Sequence, residues 1–210
     1  MWDLKDKLVV ITGATNGIGK AAALEMAKHG PRMLLTFRNQ GLADNLSLEL
    51  QAVNPNLKLD FLYCDFSSQE SIRGCAAEIL ALQQQIDVLV NNAGVVNTAY
   101  RETLEGIENT FAVNHLGYFL LTNLILEQML GEEETRIINV SSAAHSFVKK
   151  INWPDINFKD NFGMGVTAYG HSKLANLLFT RYLATKLSTS NVTVNAIHPG
   201  GVNTALGNQN

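Results

Sequence analysis

The stretch Leu8-Val9-Val10-Ile11-Thr12-Gly13-Ala14-Thr15-Asn16-Gly17-Ile18-Gly19 runs from four aliphatic residues into a glycine-rich turn. A short continuous aliphatic run, β-branched at three of four positions, reads as a strand buried on both faces of a parallel sheet. From Ala21 to His29 the apolar residues recur at helical spacing. Strand, glycine turn and helix in that order form the start of a dinucleotide-binding crossover. Gly13 makes the tight turn out of the strand, and Gly17 and Gly19 let backbone and helix approach a pyrophosphate without a Cβ in the way. Thr15, Asn16 and Ile18 lie in the same turn, where the helix N-terminus offers amide donors and a partial positive charge. The spacing is G-x-x-x-G-x-G and departs from the standard G-x-G-x-x-G.

Outward from this unit the pattern repeats. Apolar runs at Met33–Leu35, Leu59–Leu62, Val88–Val90, Ile137–Val140 and Val192–Val194 alternate with helical periods over Ala21–His29, Leu42–Val53, Glu70–Leu82, Leu104–Leu130 and Lys173–Leu187. Such alternation predicts a doubly wound α/β fold, a parallel sheet with right-handed crossovers and helices on both faces. Gly30-Pro31, Asn54-Pro55-Asn56 and Pro199-Gly200-Gly201 punctuate it. The one long stretch without a period is Ala143–Val166, which carries Phe147, Trp153, Phe158 and Phe162. With no repeat, low-complexity run or linker, residues 1–210 read as a single nucleotide-binding (Rossmann) domain.

The bulk composition is that of an ordinary globular domain: 210 residues, 46% hydrophobic, 17% charged, formal net charge −3. Scattered cations on a slightly acidic chain give no footprint for nucleic acid or an anionic membrane. The polar start from Met1 to Lys7 and the short first apolar run contain neither a signal peptide nor a spanning helix, so the expectation is a soluble cytoplasmic protein. Cys64 and Cys75 are too few for a disulfide framework, and the five histidines are too dispersed for a metal site, so no metal is expected.

The second strand ends Phe37-Arg38-Asn39. Selection of the 2′-hydroxyl of NAD calls for an acid there, whereas an arginine pairs with a 2′-phosphate. No carboxylate occurs between Arg32 and Ala43, so Arg38 points to NADP; the bland alternative is a solvated surface cation. Asp65, after the third strand, is either a partner for the adenine ring or a cap of the helix that begins near Ser67 or Ser68. Tyr169 and Lys173 are four residues apart, which on a helix puts phenol and ammonium on one face. A cation beside a phenol favours the phenolate, so a group with a reference pKa of roughly 10 is expected to exchange protons nearer neutrality.

In the order Thr12-Gly13-x3-Gly17-Ile18-Gly19, Asn91-Asn92-Ala93-Gly94, Asn114, Ser141-Ser142, Tyr169-x3-Lys173 and Pro199-Gly200-x-Val202-x-Thr204, these motifs resemble the short-chain dehydrogenase/reductase family over essentially the whole chain. Phe37-Arg38-Asn39, Val113-Asn114-His115-Leu116-Gly117, the long interval from Ser142 to Tyr169 and His171-Ser172-Lys173-Leu174-Ala175-Asn176 are similar to its retinol-dehydrogenase-like subgroup. The resemblance implies an oxidoreductase acting on a fairly apolar alcohol or carbonyl compound with NADP. It implies Tyr169 as acid or base, Lys173 on the nicotinamide ribose, Ser142 as hydrogen-bond donor to the substrate oxygen, and Asn114 as holder of a water that links Lys173 to solvent. It implies Asn91, Ala93 and Gly94 beside the coenzyme and Pro199, Gly200, Val202 and Thr204 around the nicotinamide. From the residues alone, Ser141 and Ser142 are equally strand-end hydroxyls, and Asn114 equally satisfies neighbouring backbone.

Family members normally continue past the Pro-Gly segment into a substrate lid, a strand and a helix, so the end at Asn210 leads to the expectation of a truncated pocket and an exposed sixth strand. That expectation supports a second reading, a catalytically impaired nucleotide-binding or interaction module. The apolar residues Tyr118, Leu121 and Ile125 on one long helix, and Leu178, Tyr182 and Ala184 on the other, predict a second buried face and hence a homodimer.

Overall fold

The computed structural model describes residues 3–201. Six strands form one sheet in the order β3-β2-β1-β4-β5-β6, with every neighbouring pair parallel. In chain order these are β1 (Leu8–Ile11), β2 (Arg32–Phe37), β3 (Lys58–Tyr63), β4 (Val88–Asn91), β5 (Thr135–Val140) and β6 (Val192–Ile197). Between them run α1 (Gly17–Ala27), α2 (Gln40–Val53), α3 (Gln69–Ala81), the short α4 (Asn109–Phe111), α5 (Gly117–Ile125) and α6 (Val166–Lys186). This is the doubly wound arrangement, and the order reverses between β1 and β4, where crossovers leave toward opposite faces.

Strand alternation splits the core into two layers. Leu8, Val10, Leu34, Leu89, Ile137 and Val194 point to the face covered by α3, α5 and the C-terminal half of α6, through Ile72, Ile79, Leu121, Ile125, Phe179 and Leu183. Val9, Ile11, Met33, Leu35, Val88 and Val90 point to the other face, where Ala23, Ala27, Leu46 and Leu50 of α1 and α2 close over them. Helix starts are set by side-chain oxygens: Asn16 accepts from Gly17 N at α1, Asn39 from Leu42 N at α2, and Ser68 from Ser71 N at α3.

Two helices begin elsewhere than their periodicity suggests. The period over Leu104–Leu130 does not become helix until Asn109, because Leu104 is 99% exposed and Gly106 takes φ +75°. The buried Glu108 carboxylate makes the real start, accepting from Thr110 N (2.8 Å) and Phe111 N (2.7 Å). A five-residue π-helical stretch, Ala112–Leu116, then leads into α5. Helix α6 begins seven residues before Lys173, at Val166, which places Tyr169 inside it. Tyr118, Leu121 and Ile125, expected on an outer face, are fully buried against the sheet. The outer apolar surface holds the expected Leu178 and the 65%-exposed Tyr182, with Phe119 of α5 beside them in exposure.

The aperiodic stretch packs through Ile151 and Phe158, with Ile156 and Phe162 against them. Phe158 is fully buried, its ring 5.0 Å from His171 and 5.8 Å from Phe111, while Phe147 and Trp153 are exposed. Strand β6 is an edge of the described sheet.

A buried polar chain ties α6 to the sheet. Asn91 Nδ2 donates to Asn139 Oδ1 (2.8 Å) and to Thr122 Oγ1 (2.9 Å), and Asn139 Nδ2 donates to Thr180 Oγ1 (2.9 Å). Truncating the middle member, Asn139→Ala, strands buried partners and should lower unfolding free energy by roughly 2 kcal/mol. A urea titration reads this as a lower midpoint with an unchanged slope; an unmoved midpoint would show that the chain of amides does not hold the helix.

Candidate active site

At the carboxyl ends of β1, β4 and β5 lies a cleft of about 650 Å³, where open α/β sheets bind ligands. Its floor depends on Thr12. That hydroxyl donates to Val90 O (3.3 Å) and accepts from the amides of Asn92 (2.8 Å) and Ala93 (3.0 Å). Asn92 Nδ2 in turn donates to the carbonyls of Thr12 (2.8 Å) and Gly13 (3.1 Å). Gly13 takes φ +63°, and a Cβ there would sit 2.7 Å from Ala93 Cα. A Cβ on Gly19 would sit 2.5 Å from Gly13 O and 2.4 Å from Asn92 Nδ2. The two glycines therefore let the turn pack backbone to backbone on the segment after β4, with the start of the eleven-residue α1 open to the cleft through Asn16, Gly17 and Ile18. These features fit a dinucleotide's phosphates.

Arg38 and Asp65 line the end of the cleft beyond β2 and β3. Arg38 Nη1 stands 4.0 Å from Asp65 Oδ1 and its side chain is half exposed. Asp65 Oδ1 also accepts from Ser67 N (2.9 Å) and Ser67 Oγ (2.7 Å). The cap of α3 is Ser68, so Asp65 shapes the turn ahead of the helix while facing the cleft.

At the opposite end Ser142, Tyr169 and Lys173 meet, with Gly94, Pro199 and Gly200 on the rim. The two serines part company: Ser141 Oγ donates to Lys173 O (2.9 Å) and fastens α6, while Ser142 Oγ accepts from Ala144 N (3.2 Å) and lies at the cleft beside the Tyr169 phenol. Lys173 is 4% exposed; its ammonium donates to Val140 O (3.0 Å) and lies 5.5 Å from the Tyr169 ring centre and 5.9 Å from that of Tyr118. Burial pushes the ammonium down to about 8. The Tyr169 phenol is also governed by burial, which holds it above its ordinary value against the downward pull of the Ser142 hydrogen bond. This corrects the sequence expectation of a phenol lowered by its neighbouring cation: in the free protein desolvation outweighs an ammonium that is itself shifted toward its neutral form.

Several predicted residues stand behind the cleft. Asn91 is fully buried in the amide chain, and Gly19 packs inside the turn. Asn114 is also fully buried; its Oδ1 accepts from Val95 N (2.8 Å), its Nδ2 donates to Val95 O (2.9 Å) and Ser172 Oγ (3.3 Å), and its carbonyl accepts from Asn176 Nδ2 (2.9 Å). Its side chain thus clamps the segment after β4 to α6. Thr15 and Ala93 line the cleft. Val202 and Thr204 lie outside the described residues. The sequence reading missed Thr12 and the side chain of Asn92 as the stitches of the turn. It also missed Tyr118, whose buried hydroxyl has no hydrogen-bond partner among the described residues. No spacing signal marks these three, since each acts on a residue far away in the chain.

The family model for short chain dehydrogenase matches residues 7–155 and 158–210. Mouse retinol dehydrogenase 12 is 43% identical over 196 residues, covering 93% of this chain and 61% of that protein, so the chain spans about three fifths of that relative's length. Among solved structures, a metagenomic short-chain oxidoreductase in complex with NADP superposes with a TM-score of 0.76 at 28% identity, covering 94% of this chain and 84% of that one. A short chain dehydrogenase/reductase from Burkholderia phymatum in complex with NAD gives 0.78 at 25% identity, covering 98% and 69%.

The direction of the Tyr169 shift is open to a spectroscopic test. In coenzyme-free protein, the phenolate absorbance that Tyr169→Phe deletes should appear above the usual tyrosine range. Ser142→Ala should move it higher still, because that hydroxyl is what draws the phenol down. Appearance near neutrality would mean that the ammonium, not burial, sets the phenol's proton affinity.

Proposed function

The chain belongs to the short chain dehydrogenase family, and we propose that it is an NADP-dependent oxidoreductase interconverting an alcohol and its carbonyl compound on a fairly apolar small molecule. One observation carries the reading: Ser142, Tyr169 and Lys173 converge at one end of a cleft that runs past a glycine turn at a helix N-terminus to Arg38 and Asp65. A dinucleotide laid along that cleft has its phosphates at the turn and its reactive ring beside the three side chains.

Bound there, the nicotinamide supplies or takes up the hydride. The remaining work falls to the chain. Ser142 donates a hydrogen bond to the substrate oxygen, on which negative charge grows during reduction. Tyr169 gives that oxygen its proton, or removes it in the reverse direction. Lys173, with one of its three protons on Val140 O, directs the others toward the ribose and the phenol. A positive charge brought to bear on the phenol favours the phenolate, so the ordered ternary site eases the proton transfer that burial resists in the free protein.

Arg38 supports NADP over NAD as the partner of a 2′-phosphate, reached by exchanging its 4.0 Å contact with Asp65 for a charge-assisted pair. Among the described residues no helix is long and apolar enough to cross a membrane. We read the outer apolar surface of α5 and α6, with Phe119, Leu178 and Tyr182, as the seam of a homodimer.

Three measurements test this. NADP(H) should raise the melting temperature more than NAD(H) at equal concentration, and Arg38→Asp should invert the order; equal shifts in the parent protein would remove the case for NADP. With NADPH and a panel of apolar aldehydes and ketones that includes nonanal, Tyr169→Phe should cut turnover by roughly a hundred-fold or more while coenzyme affinity stays near normal. A parent protein that oxidises NADPH with no member of the panel would sink the enzyme reading. Light scattering should give twice the chain mass, and a monomer mass across micromolar concentrations would refute the seam.

A further inference from the structure

Helix α6 carries both Tyr169 and Lys173, and at its very start it meets the rest of the fold through bare backbone. The chain enters the helix through Gly163-Met164-Gly165, all three at positive φ (+55°, +52° and +84°). Gly165 is the N-cap and makes no side-chain capping bond. The place of its missing Cβ is taken by the carbonyl of Asn97, 1.9 Å away at oxygen and 3.0 Å at carbon. Asn97 is itself buried and anchored: its Nδ2 donates to Asn109 Oδ1 (2.8 Å) and its amide to Thr110 Oγ1 (3.4 Å). It continues the strand-end segment in which Ala93, Gly94 and Val95 wall the cleft.

Gly165 stands four residues before Tyr169 and eight before Lys173, so the bare backbone contact lies one helical turn ahead of the phenol. From this placement we infer that Gly165 is the positioning residue for Tyr169, setting the distance between the phenol and the cleft wall by letting α6 rest directly on the Asn97 carbonyl. The inference rests on the reading of Tyr169 as the proton-transferring group. A side chain at Gly165 has to open the seat by about an ångström before its Cβ reaches a tolerable distance from that oxygen. The displacement is applied one helical turn from the phenol, and misplacement on that scale costs on the order of a hundred-fold in rate. It bears much less on coenzyme binding, whose phosphate cradle is built on β1, β4 and α1.

Gly163 supplies the control. It has the same kind of left-handed backbone, but a Cβ there meets the Thr167 Oγ1 at 2.3 Å, a side-chain tip that can rotate away. Gly163→Ala therefore adds backbone strain without lifting α6 from Asn97.

The experiment compares kcat, the KM for NADPH and the melting temperature in the full chain for Gly165→Ala, Gly163→Ala and Tyr169→Phe, with NADPH and nonanal or whichever panel compound the parent turns over best. Gly165→Ala is expected to lose roughly a hundred-fold in kcat with its NADPH KM within about three-fold of the parent, while Gly163→Ala keeps most of its kcat despite a lower melting temperature. Parental kcat in Gly165→Ala overturns the inference, as does an equal loss in both glycine variants in step with their stability, which marks the glycine as structural only. If Tyr169→Phe turns over like the parent, the reading of Tyr169 fails and the positioning role falls with it; loss in Tyr169→Phe but not in Gly165→Ala rejects the positioning role alone. Should Gly165→Ala not fold, Asn109→Ala loosens the Asn97 anchor and leaves the sequence of α6 unchanged. It should lower kcat by about ten-fold at unchanged NADPH KM, and parental kcat there overturns the inference equally.

Discussion

Everything in the cleft hangs on the hydroxyl of Thr12. Strands β1 and β4 are neighbours whose connections leave toward opposite faces, so nothing in the crossover helices holds their carboxyl ends together. Thr12 does so by giving its proton to Val90 O and taking the amides of Asn92 and Ala93. The Asn92 side chain returns the connection through the carbonyls of Thr12 and Gly13. With the two ends fixed, Gly13 passes within a backbone's thickness of Ala93, and the amide-lined turn faces the cleft as a rigid surface. A mobile turn would have to be ordered by each dinucleotide it met, at the cost of the binding energy it was meant to supply.

The opposite wall is positioned by polar contacts rather than by the apolar core. Thr180, Asn176 and the backbone of Lys173 on α6 are joined to Asn139, to Asn114 O and to the Ser141 hydroxyl. Apolar packing alone admits small slides of a helix over a sheet, whereas a buried hydrogen bond tolerates little departure in distance or angle. Asn114 adds the third side of the triangle, from the segment after β4 to Ser172. The π-helical stretch that carries it is the kind of local irregularity that gathers at functional sites, and here it turns an asparagine inward that regular helix would place at another angle.

The strand runs, the glycine turn and the i, i+4 relation of Tyr169 and Lys173 were legible because each is local: periodicity and backbone demands act over a few residues. All six strands lie where the apolar runs put them, and doubly wound topology follows from alternation. Two helix starts were not legible, because they are decided by caps and turns without an apolar signal. Glu108, an acidic residue with no apolar signal of its own, begins the helical run seventeen residues after β4, and the left-handed turn before Val166 begins α6 ahead of its apolar period. Likewise Tyr118, Leu121 and Ile125 are apolar at helical spacing whether they face the sheet or a partner, and only the sheet's position tells which. The roles of Thr12, Asn92 and Asn97 depend on contacts across the fold for which a single sequence carries no mark.

The proton affinities of Tyr169 and Lys173 show what such a wall does to charge. An ammonium 5.5 Å from a phenol ring should lower the phenol and be raised in return. Instead the lysine is pushed down to about 8 and the tyrosine up, and burial is the leading cause in each case. Both groups are thus biased to their neutral forms, the state in which they disturb a dry interior least. Among the described residues the pull in the other direction on the phenol comes from Ser142. Burial thus sets the bias of this pair, and any polar or charged group brought into the cleft beside Lys173 acts against that bias.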